Sequence, residues 1–135
     1  MDGVILTSLK EISCPKGNIF HVIKERDNDF FGFGEAYFSS VHKDRIKGWK
    51  MHKEMILNLV VITGEINFVI HNISTKDFFS VTLSRENYNR LTIMPGLWIA
   101  FKGIKKENIL LNIASIEHDP TDSVNMSLDS IEFEF

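Results

Sequence analysis

Residues 55–72 read MILNLVVITGEINFVIHN, two apolar runs, Met55 to Ile62 and Glu65 to Asn72, parted by Thr63-Gly64. Both runs are rich in β-branched residues, and the glycine between them is free to take a positive φ. The stretch reads as two strands joined in a hairpin.

The same signal extends in both directions. Upstream, Ile19 to Ile23 is a short β-branched run after Pro15-Lys16-Gly17-Asn18, and Glu35 to Val41 alternates small or polar residues with Tyr37 and Phe38. Downstream, Phe78 to Leu83, Leu91 to Met94, Leu97 to Phe101 and Ile109 to Ile116 continue the series. Ser130 to Phe135 closes it, with Ile131, Phe133 and Phe135 on one face. Ser84 to Tyr88 has room for one helical turn, but no longer window sustains a 3.6-residue period. Short strands at regular spacing, broken by Gly, Asn and Pro, predict an all-β protein with a closed or sandwiched antiparallel sheet. Eleven Phe and two Trp supply bulk for its core.

A chain of 135 residues, without repeat or linker, fits a single domain over 1–135. The lone Cys14 excludes an internal disulfide, and with no signal-like start the expected compartment is the cytoplasm. Apolar runs such as Leu59 to Ile62 fall far short of the roughly 20 residues that a membrane span needs. A net charge of −3 argues against general nucleic-acid binding. The charge is uneven, however. Lys43, Arg45, Lys47, Lys50 and Lys53 crowd the stretch 42–53 against one Asp44, which suits a small anionic ligand or, equally, a solvated strand face.

Several segments, in order, resemble the dTDP-4-dehydrorhamnose 3,5-epimerase family. Ile46-Lys47-Gly48-Trp49-Lys50-Met51-His52 stands where that family carries an Arg-Gly-Leu-His strand, and Asn58 to Ile70 resembles the hairpin that follows it. Leu83-Ser84-Arg85-Glu86-Asn87 matches a Leu-Ser-x-Glu-Asn turn, Ile93-Met94-Pro95-Gly96 an Ile-Pro-x-Gly approach, and Ile131-Glu132-Phe133 a closing Ile-x-Trp strand. The resemblance covers roughly residues 35–135. It implies a cupin-type jelly-roll barrel and proton transfer beside a keto group on a nucleotide-linked 6-deoxysugar. It also implies a histidine base buttressed by aspartate, a lysine near the enolate oxygen and a tyrosine acid. At those places this chain reads Lys50, Leu57 or Asn58, and Glu117-His118, with the aspartate position near Met126.

On a strand, residues two apart share a face, so Lys50 and His52 point one way and Trp49 and Met51 the other. Inside a barrel, Lys50 and His52 would pair a cation with an imidazole, able to polarise a keto oxygen, move a proton or clasp a diphosphate. At the barrel mouth they would simply reach water. His118 and Glu117 follow a long apolar strand and could supply the opposing acid, or belong to an ordinary Asp-Pro turn. Arg45 and Lys47 could steer a diphosphate. Asn58 interrupts an apolar strand, so it either orients a ligand or joins an internal hydrogen-bond network. Tyr37 and Trp98 could stack on a nucleobase or pack in a core or interface. Metal-dependent cupin chemistry wants two histidines, a glutamate and a further histidine after the Pro-Gly turn. Lys50 and the run Leu97 to Ala100 do not provide them, so no metal and no other cofactor is expected.

Two functions follow. The chain is an epimerase- or isomerase-like enzyme for a dTDP- or UDP-linked 4-keto-6-deoxyhexose in surface-polysaccharide synthesis. Alternatively it is a non-catalytic cupin that binds a sugar nucleotide or serves as an accessory subunit. Either is expected to be a homodimer, since exposed strand edges in so small a barrel need cover.

Overall fold

The computed structural model describes residues 1–135. Twelve strands and one 3-10 turn make up its regular structure: β1 Val4–Ser8, β2 Glu11–Ile12, β3 Ile19–Phe20, β4 Glu35–Ser40, β5 Ile46–His52, β6 Leu57–Thr63, β7 Glu65–His71, β8 Phe78–Ser84, β9 Asn89–Ile93, β10 Trp98–Gly103, β11 Ile109–Ala114 and β12 Ser123–Asn125, with the turn at Leu128–Ser130. Two five-stranded sheets, in the orders β1-β9-β6-β11-β4 and β12-β5-β10-β7-β8, face each other as an antiparallel jelly-roll sandwich, and β2-β3 forms a separate ribbon. The all-β expectation is met.

The core lies between the sheets. Leu57, Leu59 and Val61 of β6 meet Ile66, Phe68 and Ile70 of β7 there, with Leu91, Ile93, Ile99 and Leu110 around them. The period of two is what places every second residue of each strand in that layer.

The expected hairpin at 63–64 is corrected. Strand β6 pairs with β9 and β11, whereas β7 pairs with β8 and β10, so the two strands lie in different sheets. Each gives one face to the same core, which stacks them instead of pairing them. Gly64, at φ 74°, makes the corner, and a Cβ there would lie 2.0 Å from the Glu107 carbonyl oxygen. Asn108, 1% exposed, ties the corner down. Its Oδ1 accepts from the amides of Glu65 (2.9 Å) and Lys105 (3.0 Å), while its Nδ2 donates to the carbonyls of Val41 (3.0 Å) and Lys105 (2.7 Å).

Both termini also depart from the sequence expectation. Strand β1 was not anticipated, yet it pairs along its whole length with β9, from Val4 opposite Ile93 to Ser8 opposite Asn89. The run Ile19 to Ile23 keeps only Ile19–Phe20 as strand, because the chain then turns to cover the outer face of the first sheet. There the carbonyl of His21 accepts from Tyr88 Oη (2.9 Å), and that of Val22 from the buried Arg90 guanidinium. Ser130 to Phe135 is not a strand. Its alternation is real, but it has no ladder partner, and Ile131, Phe133 and Phe135 instead dock on the outer face of the second sheet against Trp49, Val69, Trp98 and Ala100. Trp49 Nε1 donates to the Leu128 carbonyl at 3.2 Å, where the tail begins. No helix is long and apolar enough to cross a membrane.

Replacing Asn108 with Ala would take the side-chain partner from two backbone amides and two carbonyls at the corner, the Val41 carbonyl buried and the other three groups partly so. Urea unfolding followed by far-UV circular dichroism should show a loss of at least ~2 kcal/mol, the scale of unsatisfied buried polar groups. A change below ~0.5 kcal/mol, ordinary for an inconsequential substitution, would show that Asn108 does not hold the corner.

Candidate active site

At one end of the sandwich the two sheets part around a cavity of about 490 Å3. Its wall from the second sheet is β5 and β10, contributing Ile46, Lys47, Gly48, Lys50, His52, Ile99 and Phe101, with Asn125 from β12. Its wall from the first sheet is β4, β6 and β11, contributing Tyr37, Ser39, Leu57, Leu59, Leu110 and Asn112. Polar groups thus stand over a floor of leucine, isoleucine and phenylalanine, the composition of a site that orients a small ligand by few contacts.

Strand β5 delivers the chemistry. Lys50 pairs with Ile99 and Met51 with Trp98, but the next partners are Lys47 with Phe101, so β5 carries one residue more than β10 in this interval. Such an extra residue re-aims the side chains around it. Lys47 consequently lines the cavity along with Lys50 and His52, although simple alternation would turn it away. Gly48 permits the approach: a Cβ there would sit 2.4 Å from that of Ala100. Trp49, fully buried, points to the opposite face.

His52 is paired. Its Nδ1 lies 3.0 Å from Asp122 Oδ2, and Asp122 Oδ1 accepts from the Glu54 amide at 2.7 Å. Asp122 is 5% exposed. Burial by itself would raise its pKa, but the hydrogen bonds from His52 and from the backbone amides of Glu54 and Met55 together outweigh that and hold it below the ordinary carboxylate value. An ionised carboxylate only accepts, so Nδ1 donates in this bond, and Nε2 has no protein partner. The aspartate expected near Met126 is therefore four residues earlier. Strand β12 sets it there by pairing Ser123 with His52.

On the facing wall, Asn112 is fully buried. Its Oδ1 accepts from the Asn58 backbone amide (3.2 Å), and its Nδ2 donates to Tyr37 Oη (3.0 Å). Tyr37, 40% exposed, reaches from β4 to the cavity rather than into a core. Lys47 Nζ is 3.5 Å from Ser39 Oγ across the mouth.

Five of the sequence candidates lie elsewhere. The side chain of Asn58 turns to the outer face of the first sheet, where its Oδ1 accepts from Thr92 Oγ1 (2.6 Å) and its Nδ2 donates to the Asp29 carbonyl (3.4 Å), so it belongs to an internal network. Trp98 is 6% exposed within the apolar cluster under the C-terminal tail, out of reach of a nucleobase in the cavity. Arg45 is exposed just before β5 and does not line the cavity. Glu117 and His118 are exposed on the turn after β11, because that strand ends at Ala114 and the chain leaves the sheet.

Two important residues escaped the sequence reading, Asp122 and Asn112. Asn112 had a visible signal, being the only polar residue in the apolar strand Ile109–Ala114. Asp122 had none beyond its place after a turn.

A second cavity, also about 490 Å3, lies between β1 and residues 21–29. Arg90, 1% exposed, faces it with its charge already matched: Nη2 is 2.5 Å from the Asp29 carboxylate and Nη1 3.6 Å from that of Asp27. Thr7 Oγ1 donates to the same Asp29 carboxylate (2.7 Å). Despite its burial, Asp29 is held below the ordinary carboxylate value by the Arg90 and Thr7 hydrogen bonds and by the Arg90 charge. His21, Lys10 and Lys24 also line that cavity, but it holds no histidine–carboxylate pair like that of His52 and Asp122.

Comparison with known proteins places this geometry among relatives. A family model described as FdtA, WxcM-like, C-terminal, matches residues 2–132. No curated protein matches the sequence. Among solved structures, a dTDP sugar isomerase from Desulfovibrio desulfuricans superposes with a TM-score of 0.93 at 30% identity, over 98% of this chain and 90% of that one. The 3,4-ketoisomerase QdtA from Thermoanaerobacterium thermosaccharolyticum, solved as a mutant in complex with TDP-4-keto-6-deoxyglucose, gives 0.81 at 22% identity, over 92% and 88%. The dTDP-4-dehydrorhamnose 3,5-epimerase of Sulfolobus tokodaii gives 0.87 at 20% identity, over 100% and 83%, and shares the fold. By the family match across nearly its whole length and by the 30% identity, this chain belongs to the WxcM-like, C-terminal family of dTDP-sugar epimerase/isomerase-like cupins.

Proposed function

We propose that the chain acts on a dTDP- or UDP-linked 4-keto-6-deoxyhexose, moving a proton at the carbon beside the keto group, within surface-polysaccharide synthesis. The observation that carries this reading is the His52–Asp122 pair opening on a cavity that Lys50 also lines. In the reaction, His52 Nε2 takes the proton from the α-carbon, and Asp122 holds the tautomer that leaves this lone pair free and stabilises the imidazolium formed. Lys50, whose ammonium has no carboxylate partner within salt-bridge distance, stabilises the negative charge arriving on the keto oxygen. Lys47 at the mouth meets the diphosphate. The apolar floor receives the deoxysugar ring and its methyl group. The chemistry needs a base, a cation at the enolate oxygen and a proton returned to the carbon, and no redox step. Edge strands β1 and β4 leave Leu6 and Phe38 exposed, Phe38 at 69%, and a homodimer would cover such edges.

Incubation with dTDP-4-keto-6-deoxyglucose in deuterated water should place solvent deuterium beside the keto group. Substituting His52 with Asn should slow that exchange by about 10²–10⁴-fold, the usual worth of a positioned base. Tight binding without exchange by the native protein would favour a non-catalytic sugar-nucleotide module. Absence of both would end the reading.

Asp122→Asn tests the buttress. The lowered pKa of Asp122 means that its stabilising contribution is complete above the unfolded carboxylate value of 3.8 and is lost as pH falls through the lower folded value. The variant should therefore show a flatter Tm profile than the native protein below pH 3.8, and exchange slowed in parallel with His52→Asn. An unchanged acid profile would mean the carboxylate is not held as described. Sedimentation of the native chain should give twice the monomer mass, and a monomer would remove the dimer from the proposal.

A further inference from the structure

We infer that Asn125 determines specificity at this site, by reading the hydroxyl beside the keto group and so favouring an α-hydroxyketone over a ketone that lacks it. The inference rests on the sugar-nucleotide reading above and adds a residue that this reading leaves without a role.

The ladder between β12 and β5 fixes where the Asn125 side chain stands. Asn125 lies opposite Lys50, and Val124 opposite Met51. On the other side of Asn125, Met126 exchanges both backbone hydrogen bonds with Trp49, at 3.0 and 3.1 Å. In an antiparallel ladder, hydrogen-bonded pairs alternate with unbonded ones, and the unbonded pairs bring their side chains closer together. Asn125 and Lys50 are therefore an unbonded pair, with Cβ atoms about 5 Å apart on one face of the sheet.

That face is the cavity wall. Val124 and Met126 pack into the apolar cluster beneath the tail, so Asn125 between them points the other way. It lines the cavity together with Lys50 and His52. The exposed Asn125 carboxamide makes no hydrogen bond within the protein, and Lys50 has no carboxylate within salt-bridge distance. The other cavity amide, Asn112, is spent on Asn58 and Tyr37, and Ser39 is engaged by Lys47. Asn125 is thus the one amide there with both its donor and its acceptor to offer.

The chemistry of the pair suits two neighbouring groups on a sugar ring. An ammonium only donates, which fits a keto oxygen. A carboxamide both donates and accepts, and so does a hydroxyl. With the 4-keto oxygen at Lys50, the adjacent position of Asn125 meets the hydroxyl on C3. The C5 side of the ring, with its methyl group, is left to the apolar floor of Leu57, Leu59, Ile99 and Phe101.

The test compares dTDP-4-keto-6-deoxyglucose with its 3-deoxy analogue, which keeps the keto group but has no hydroxyl on C3. In deuterated water the native protein should favour the hydroxylated sugar about 10-fold in kcat/KM for deuterium uptake beside the keto group, the worth of one hydrogen bond. Asn125→Ala should lose about 10-fold with the hydroxylated sugar and little with the analogue, so that the preference vanishes. Calorimetric titration with dTDP alone should give native and variant the same Kd, and thermal melts verify folding. Equal losses for both sugars, or weakened binding of dTDP, would overturn the assignment, because a distorted cavity does not tell the two sugars apart. A native protein indifferent to the hydroxyl would overturn it as well. For a native protein that binds without exchange, the same comparison is read from Kd. If the native protein neither binds nor exchanges, the sugar-nucleotide reading itself fails and takes this assignment with it.

Discussion

Because Lys50 lies opposite Ile99 on one side of β5 and His52 opposite Ser123 on the other, that strand is pinned by hydrogen-bonded neighbours along both edges. A slip of one residue would exchange its faces, sending Lys50 and His52 under the C-terminal tail and Trp49 and Met51 into the cavity. The cost of such a slip is high in both directions. Two polar side chains would enter an apolar cluster, and a tryptophan that is now fully buried would meet water. The strand is thus held by its side chains as firmly as by its ladder.

The tail is part of that restraint. Trp49 exchanges both backbone hydrogen bonds with Met126 (3.1 and 3.0 Å) and gives its indole proton to Leu128. Beyond the 3-10 turn, Phe135 packs on Trp49 with ring centroids 5.8 Å apart, and Phe133 packs on Phe78 at 5.2 Å. Asp122, β12 and the tail therefore arrive as one continuous segment. It buttresses His52 at its start and seals the back of the same strand at its end. Site and seal share a backbone.

Periodicity made much of this legible. Alternation alone separated Lys50 and His52 from Trp49 and Met51, and it marked Ile131, Phe133 and Phe135 as a common face. It could not say what each face meets. The corner at Gly64 resembles a hairpin in sequence because glycine serves both, and only the neighbours of β6 and β7 distinguish them. The tail resembles a strand because alternation requires packing on one side but no ladder partner. Lys47 was legible as a cation near the site but not as a cavity residue, since one extra residue in β5 has no signature in composition. Asp122 was hidden for another reason. Its partner lies 70 positions earlier, and a three-residue strand carries too little pattern to place it.

Asn58 and Asn112 show what separates a structural polar group from a functional one in this protein. Both interrupt apolar strands of the first sheet, both are buried, and Asn112 Oδ1 accepts from the Asn58 amide. Asn58 spends its side chain on Thr92 and Asp29, beside an Arg90–Asp29 ion pair that closes the outer face; Arg90 Nη2 there meets the Asp29 carboxylate as an ion pair, and Arg90 Nε, sealed from solvent, has no hydrogen-bond partner. Desolvation of that charged pair is met by hydrogen bonds on the spot, which suits a clamp on residues 21–29. Across the sheet, the same accounting ends differently. His52 keeps a ring nitrogen, Lys50 an ammonium and Tyr37 a hydroxyl proton without a protein partner, all at one cavity wall or the other. Polar groups in apolar strands are ordinarily satisfied within the fold. Three that are not, gathered around one cavity, have their remaining hydrogen-bonding capacity directed at whatever enters it.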